Sequence, residues 1–138
     1  MKVIYWSQTG NTKRMAELIA KGIEEEGKKA ELVELSEISV DDLKNEEILI
    51  FGSPAYGAEE LEDTEVEPFV AALEGNVSGK KVALFGSWGW GDGAWMKDLE
   101  ERIESYGAEL VAEGLIAKEL PEGEDEDRCI EFGKLIAK

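Results

Sequence analysis

The sequence predicts an α/β fold: a doubly wound, five-stranded parallel sheet with helices on both faces. Apolar runs alternate with segments of helical period along the chain, the pattern of repeated strand-helix crossovers. Two of those runs, "ILIFG" and "VALFG", are apolar at successive residues, as central strands covered on both faces are. At 138 residues the chain has the size of one domain, so a single unit over 1–138 is expected.

The strands read as Val3 to Trp6, Glu31 to Leu35, Ile48 to Gly52, Lys81 to Gly86 and Glu109 to Ala117. Helices follow from spacing. Met15, Leu18, Ile19 and Ile23 share one face, as do Val66, Phe69, Val70 and Leu73. Met96, Leu99, Ile103 and Tyr106 repeat the pattern, and Cys129, Phe132 and Ile136 close it. A short turn of helix from Val40 to Lys44, started by Ser39, links the second and third strands. The acidic patch "EGEDEDR" leads into the last helix as a solvated connection.

Charge narrows the function classes. With 32 acidic against 15 basic residues the net charge is -17, which argues against nucleic-acid binding and for partners with basic surfaces. No histidine is present, so imidazole catalysis and His-ligated metals drop out. The single cysteine, Cys129, excludes an internal disulfide and a cysteine-held iron-sulfur cluster; on an apolar helical face it reads as core. No apolar run nears the roughly 20 residues that cross a bilayer, and no signal peptide is read; a cytoplasmic monomer is expected.

In a doubly wound sheet, ligands bind outside the carboxyl ends of the strands. The residues there are "SQTGNT", "SPAYGAEE" and "SWGWGDG". The first is a strand-to-helix turn whose amides and hydroxyls (Ser7, Thr9, Asn11, Thr12) can hold a phosphate without a Walker lysine, with Gly10 free to take positive φ. A plain helix cap by Asn11 or Thr12 is the competing reading. The third loop shifts the balance: Trp88 and Trp90 sit on glycine-rich chain without apolar neighbours, which favours stacking on a planar ligand. Tyr56 offers a second aromatic wall. Trp95 and Trp6, by contrast, read as packing residues. Asp41 and Asp42 do not make a phospho-acceptor pair, because Gly52 and Ser53 end the third strand where such a site needs an aspartate.

Here the chain resembles a known family. "VIYWSQTGNT" resembles the FMN phosphate loop of flavodoxins, and "LFGSWGWGDGAWM" their fourth-strand ring loop; "GSPAYGAEELED", "EPF" and "CIEFGK" extend the match over essentially the whole chain. No insertion of about twenty residues interrupts the fifth strand, as in the short-chain, clostridial type. The resemblance implies the strand order 2-1-3-4-5 and a non-covalent FMN. It puts Ser7, Thr9, Gly10, Asn11 and Thr12 on the phosphate, with Gln8 in the variable slot. Ser87 and Gly89 lie beside the ribityl chain and ring, Trp90 covers the outer ring face and Tyr56 the inner. Glu59 accepts from N3-H, and the peptide after Gly57 faces N5; Pro54, Ala55, Ala58 and Trp88 complete the site. Departures fall at Pro54, where a hydroxyl residue is common, at Tyr56, where an aliphatic or thioether side chain is, and at Trp88, where tyrosine is.

The function implied is low-potential, one-electron transfer between redox enzymes through the semiquinone and hydroquinone forms. No Lys or Arg stands in the ring-facing loops, so the reduced anion is left unpartnered. Glu59, Glu60, Glu62, Asp63 and Asp92 add repulsion. Ala58, in a type II turn, would occupy the position wanting positive φ and disfavour the turned peptide by roughly 1 kcal/mol relative to glycine. The alternatives are an NAD(P)H-dependent quinone-type reductase on the same fold, which needs room where Trp90 is expected, and a flavin-free contact domain.

Overall fold

Each predicted strand pairs in parallel with its neighbours, and the helices fill both faces. The computed structural model describes residues 1–57, 60–89, 91 and 93–138. Strands β1 (Lys2–Tyr5), β2 (Glu31–Glu34), β3 (Ile48–Gly52) and β4 (Lys81–Trp88) lie in the order β2-β1-β3-β4. β5 (Glu109–Leu110) and β6 (Leu115–Lys118) both pair with β4 and share the fifth position, which makes the order 2-1-3-4-5. The helices are α1 (Asn11–Glu25), α2 (Val66–Ala72), α3 (Ala94–Ser105) and α4 (Glu124–Ala137).

Two elements differ from expectation. The continuous fifth strand from Glu109 to Ala117 is broken, because Gly114 turns out of the ladder: its N–H donates to Glu100 Oε2 of α3 at 2.8 Å. A Cβ there would stand 2.6 Å from Met96 Sδ, so the detour packs close against α3. The expected helix from Val40 to Lys44 is a 3₁₀ turn over Val40–Leu43, following another over Leu35–Glu37. So short a segment leaves its carbonyls unpaired. Lys80 Nζ takes them up, donating to the carbonyls of Leu43 (3.0 Å), Lys44 (3.0 Å) and Glu46 (2.6 Å). Ser39 does start the turn, through its N–H to Asp42 Oδ2 at 3.0 Å.

The period-two alternation of the strands divides the core into two layers. Val3, Tyr5, Ile50, Ala83, Phe85, Leu115 and Ala117 face α1 and α4. Ile4, Leu49, Phe51, Val82 and Leu84 face α2 and α3. α1 and α4 meet backbone to backbone: a Cβ on Gly22 would fall 2.0 Å from the Ile130 carbonyl oxygen, and one on Gly133 2.0 Å from that of Ile19. That close approach anchors α1, whose N-terminus starts at the carboxyl end of β1. Cys129 and Trp95 are core residues, at 0% and 2% exposure.

Candidate functional site

The loop after β1 turns at Gly10, which is the N-cap of α1 at φ 95° and makes no side-chain cap. A Cβ at Gly10 would meet nothing within 4 Å, so conformation rather than space calls for glycine. The N–H groups of Gly10 and Lys13 converge on Ser7 Oγ, at 3.1 and 3.3 Å. Asn11 and Thr12 lie inside the helix, so the plain-cap reading of these two residues fails. Thr12 is instead buried and shares a 2.7 Å hydrogen bond with Ser87 Oγ, 75 residues away.

Three backbone hydrogen bonds bring the strand-end loops together. Trp6 N–H donates to the Gly52 carbonyl at 3.0 Å, Ser53 N–H to Phe85 at 3.1 Å and Ala55 N–H to Ser87 at 2.9 Å. Gly86 makes the contact possible, since a Cβ there would stand 2.1 Å from the Ser53 carbonyl oxygen. The Trp6 and Tyr56 rings meet edge to face with centroids 6.0 Å apart. Tyr56 and Glu60 exchange both backbone hydrogen bonds at 2.9 Å, closing a tight loop in which Gly57 holds φ 58°. The expectation for Ala58 in this turn falls on a residue outside those described.

Among the other predicted residues, Gln8, Thr9 and Gly89 are exposed, and Pro54, Ala55 and Trp88 are half-buried beside them. Ala58, Glu59 and Trp90, like Asp92, lie outside the described residues. A cleft of about 370 Å³ opens against the first loop, lined by Trp6, Ser7, Gly10 and Lys13 with Glu34 and Leu35. A larger apolar groove of about 640 Å³, between the 3₁₀ segment and α2, meets that cleft only at Leu35, Ser36 and Glu65 and holds none of the loop donors.

Two charges take their setting from the fold. Glu62 is buried, and although burial alone would raise its pKa, hydrogen bonds from the Thr64 hydroxyl and the amides of Glu65, Thr64 and Val66 hold it down to about 2. The amides lie 2.6 to 3.1 Å from its carboxylate, so Glu62 caps the start of α2 and its charge is taken up there. It stays ionised at neutral pH and keeps its negative charge. Lys118, at the end of β6, was not marked by any motif; its Nζ lies 5.5 Å from the centroid of the Trp88 ring. The register pairs Trp88 with Lys118, a neighbour that only the sheet reveals. Burial meanwhile pushes the Cys129 thiol up to about 12, which leaves it an inert core group.

Fold and loops together define a doubly wound protein whose sheet order reverses between β1 and β3, the place where folds of this kind offer a ligand crevice at the carboxyl ends of their strands. The flavodoxin family model matches residues 3–133. A flavodoxin of Clostridium beijerinckii is 55% identical over 99% of both chains. The solution structure of two-electron reduced Megasphaera elsdenii flavodoxin superposes with a TM-score of 0.86 at 40% identity, covering 99% of this chain and 97% of that one. A Moorella thermoacetica protein named nitric oxide reductase is 36% identical over 92% of this chain, which spans 33% of that protein's length. The chain belongs to the flavodoxin family, and is an FMN-binding electron carrier of the short-chain, clostridial type. Related folds serve electron transfer with redox enzymes, and no helix among the described residues is long and apolar enough to cross a membrane.

Proposed function

We propose that residues 7–12 grip the FMN phosphate, that residues 54–59 and 87–90 flank its ring, and that the carrier works at low potential as a monomer, docking on redox enzymes through their basic surfaces. When bound, FMN supplies a ring that accepts and releases electrons one at a time. The chain supplies the rest. A 15-residue helix that begins without a side-chain cap presents its positive end to the loop, and neutral donors suit a dianion there. The donors are also in place: two amides already converge within 3.3 Å on one oxygen, that of Ser7. The Thr12 to Ser87 hydrogen bond supports the reading most directly, because it locks the phosphate loop to the ring loop from within. Tyr56 and Trp88 provide aromatic surface that excludes water from one ligand, and the acid-rich surface disfavours added negative charge.

The test is a comparison of FMN with riboflavin, which lacks the phosphate, titrated into the flavin-stripped chain and followed by tryptophan fluorescence. FMN is expected to bind at least about tenfold more tightly, the equivalent of one charge-assisted contact. Equal affinities would remove the phosphate grip from residues 7–12.

A further inference from the structure

The ring-side loops, residues 53–57, 60–63 and 87–89 with 91 and 93, contain no cation. The sheet nevertheless brings one to them. Lys118 is the register partner of Trp88 across β6 and β4, and its ammonium lies 5.5 Å from the Trp88 ring centroid. The backbone fixes this placement: Glu119 N–H donates to the Trp88 carbonyl at 2.7 Å. Glu119 does so at φ 58°, where it is the one non-glycine residue of positive φ among those described. That conformation is unfavourable for a glutamate, so the junction between β6 and the Trp88 segment is held by its surroundings.

Among the described residues, Lys118 has an aromatic contact and no ion pair. Lys2, Arg14, Lys44, Arg102, Arg128 and Lys134 each pair with a carboxylate. In a chain of net charge -17, a lysine that lies on an aromatic face instead of a carboxylate keeps its field available to that loop.

We propose that Lys118, set over Trp88 by the pairing of β6 with β4, is a charge partner of the flavin that favours its reduced form. The inference rests on the FMN reading of the site. Full reduction adds two electrons and one proton to the ring, so the bound species gains one negative charge. A nearby cation stabilises that added charge and leaves the oxidised form nearly unaffected. Lys118 therefore moderates the low potential that the acidic surroundings impose.

The test uses the full chain and its Lys118→Gln and Lys118→Arg variants. Each is stripped of flavin and titrated without oxygen, once with oxidised FMN and once with dithionite-reduced FMN. Lys118→Gln is expected to weaken reduced FMN about fivefold more than oxidised FMN, as loss of one partly screened charge would, with the difference shrinking at high salt. Lys118→Arg, which keeps charge and cation-π contact, is expected to stay within about twofold of the parent for both forms. Equal weakening of both forms would make Lys118 a prop for Trp88 and overturn the proposal, as would no change in either. Failure of the parent chain to bind oxidised FMN would overturn the site reading, and this inference with it.

Discussion

Glu62 shows how one side chain can change its meaning with its neighbours. In sequence it is one carboxylate of "EELED"; in the fold it is 4% exposed and bound by three amides and a hydroxyl at the start of α2. Its pKa falls from the ordinary 4.5 to about 2, so the stabilisation it contributes is fully present above about pH 4.5 and is lost as pH falls toward 2. Glu62→Gln should lower stability at pH 7 by about 1–3 kcal/mol, the value of hydrogen bonds to a charged group. Denaturant unfolding at pH 7 and at pH 2.5 checks the sign: the gap between parent and variant must narrow in acid. A constant gap would mean that packing, and not the carboxylate charge, is what the variant loses. Thr12 illustrates the opposite case, since its hydroxyl was legible as a ligand donor but its bond to Ser87 was not.

Among the elements, α1 carries the most. Its apolar face was plain from Met15, Leu18, Ile19 and Ile23, all of them buried. Its close seat on α4 was not, because a glycine in a helix reads only as a weak helix former. Gly22 and Gly133 let the two backbones approach until either Cβ would clash with a carbonyl oxygen at 2.0 Å. Gly22→Ala is therefore expected to destabilise by about 1–3 kcal/mol through overpacking, despite the better helix propensity of alanine. Thermal unfolding measures it, and a stabilised variant would show that the helices can part without loss. The same variant shifts the N-terminus of α1, so FMN affinity should fall with stability. The interrupted fifth strand is the complementary lesson: "ELVAEGLIA" has a strand's composition throughout, yet Gly114 and Glu100 draw its middle out to α3.

For the whole molecule, the excess of 17 negative charges governs encounter. Electron transfer to a redox enzyme with a basic docking surface should slow as salt rises, by about tenfold or more between low and physiological ionic strength, as steered association does. Stopped-flow rates across a salt series test this; a rate independent of salt would mean that surface charge does not guide docking. The charge is not evenly spent, however. Glu62 is kept ionised by hydrogen bonds from amides, Glu67 is held below the usual carboxylate range by the Arg102 guanidinium 2.8 Å away, and Lys118 has no carboxylate partner among the described residues.

Fold class and the identity of the three site loops came from local pattern: apolar period, glycine placement and hydroxyl spacing are properties of neighbouring residues, and neighbours in sequence set them, while the strand order came from the family resemblance. What joined Thr12 to Ser87, Trp6 to Tyr56, Trp88 to Lys118 and Gly22 to the Ile130 backbone was tertiary structure alone. Those contacts span residues far apart in the chain, so no local pattern encodes them. They depend on register and on how closely two backbones approach, and both are decided only when the sheet is paired and its faces are covered.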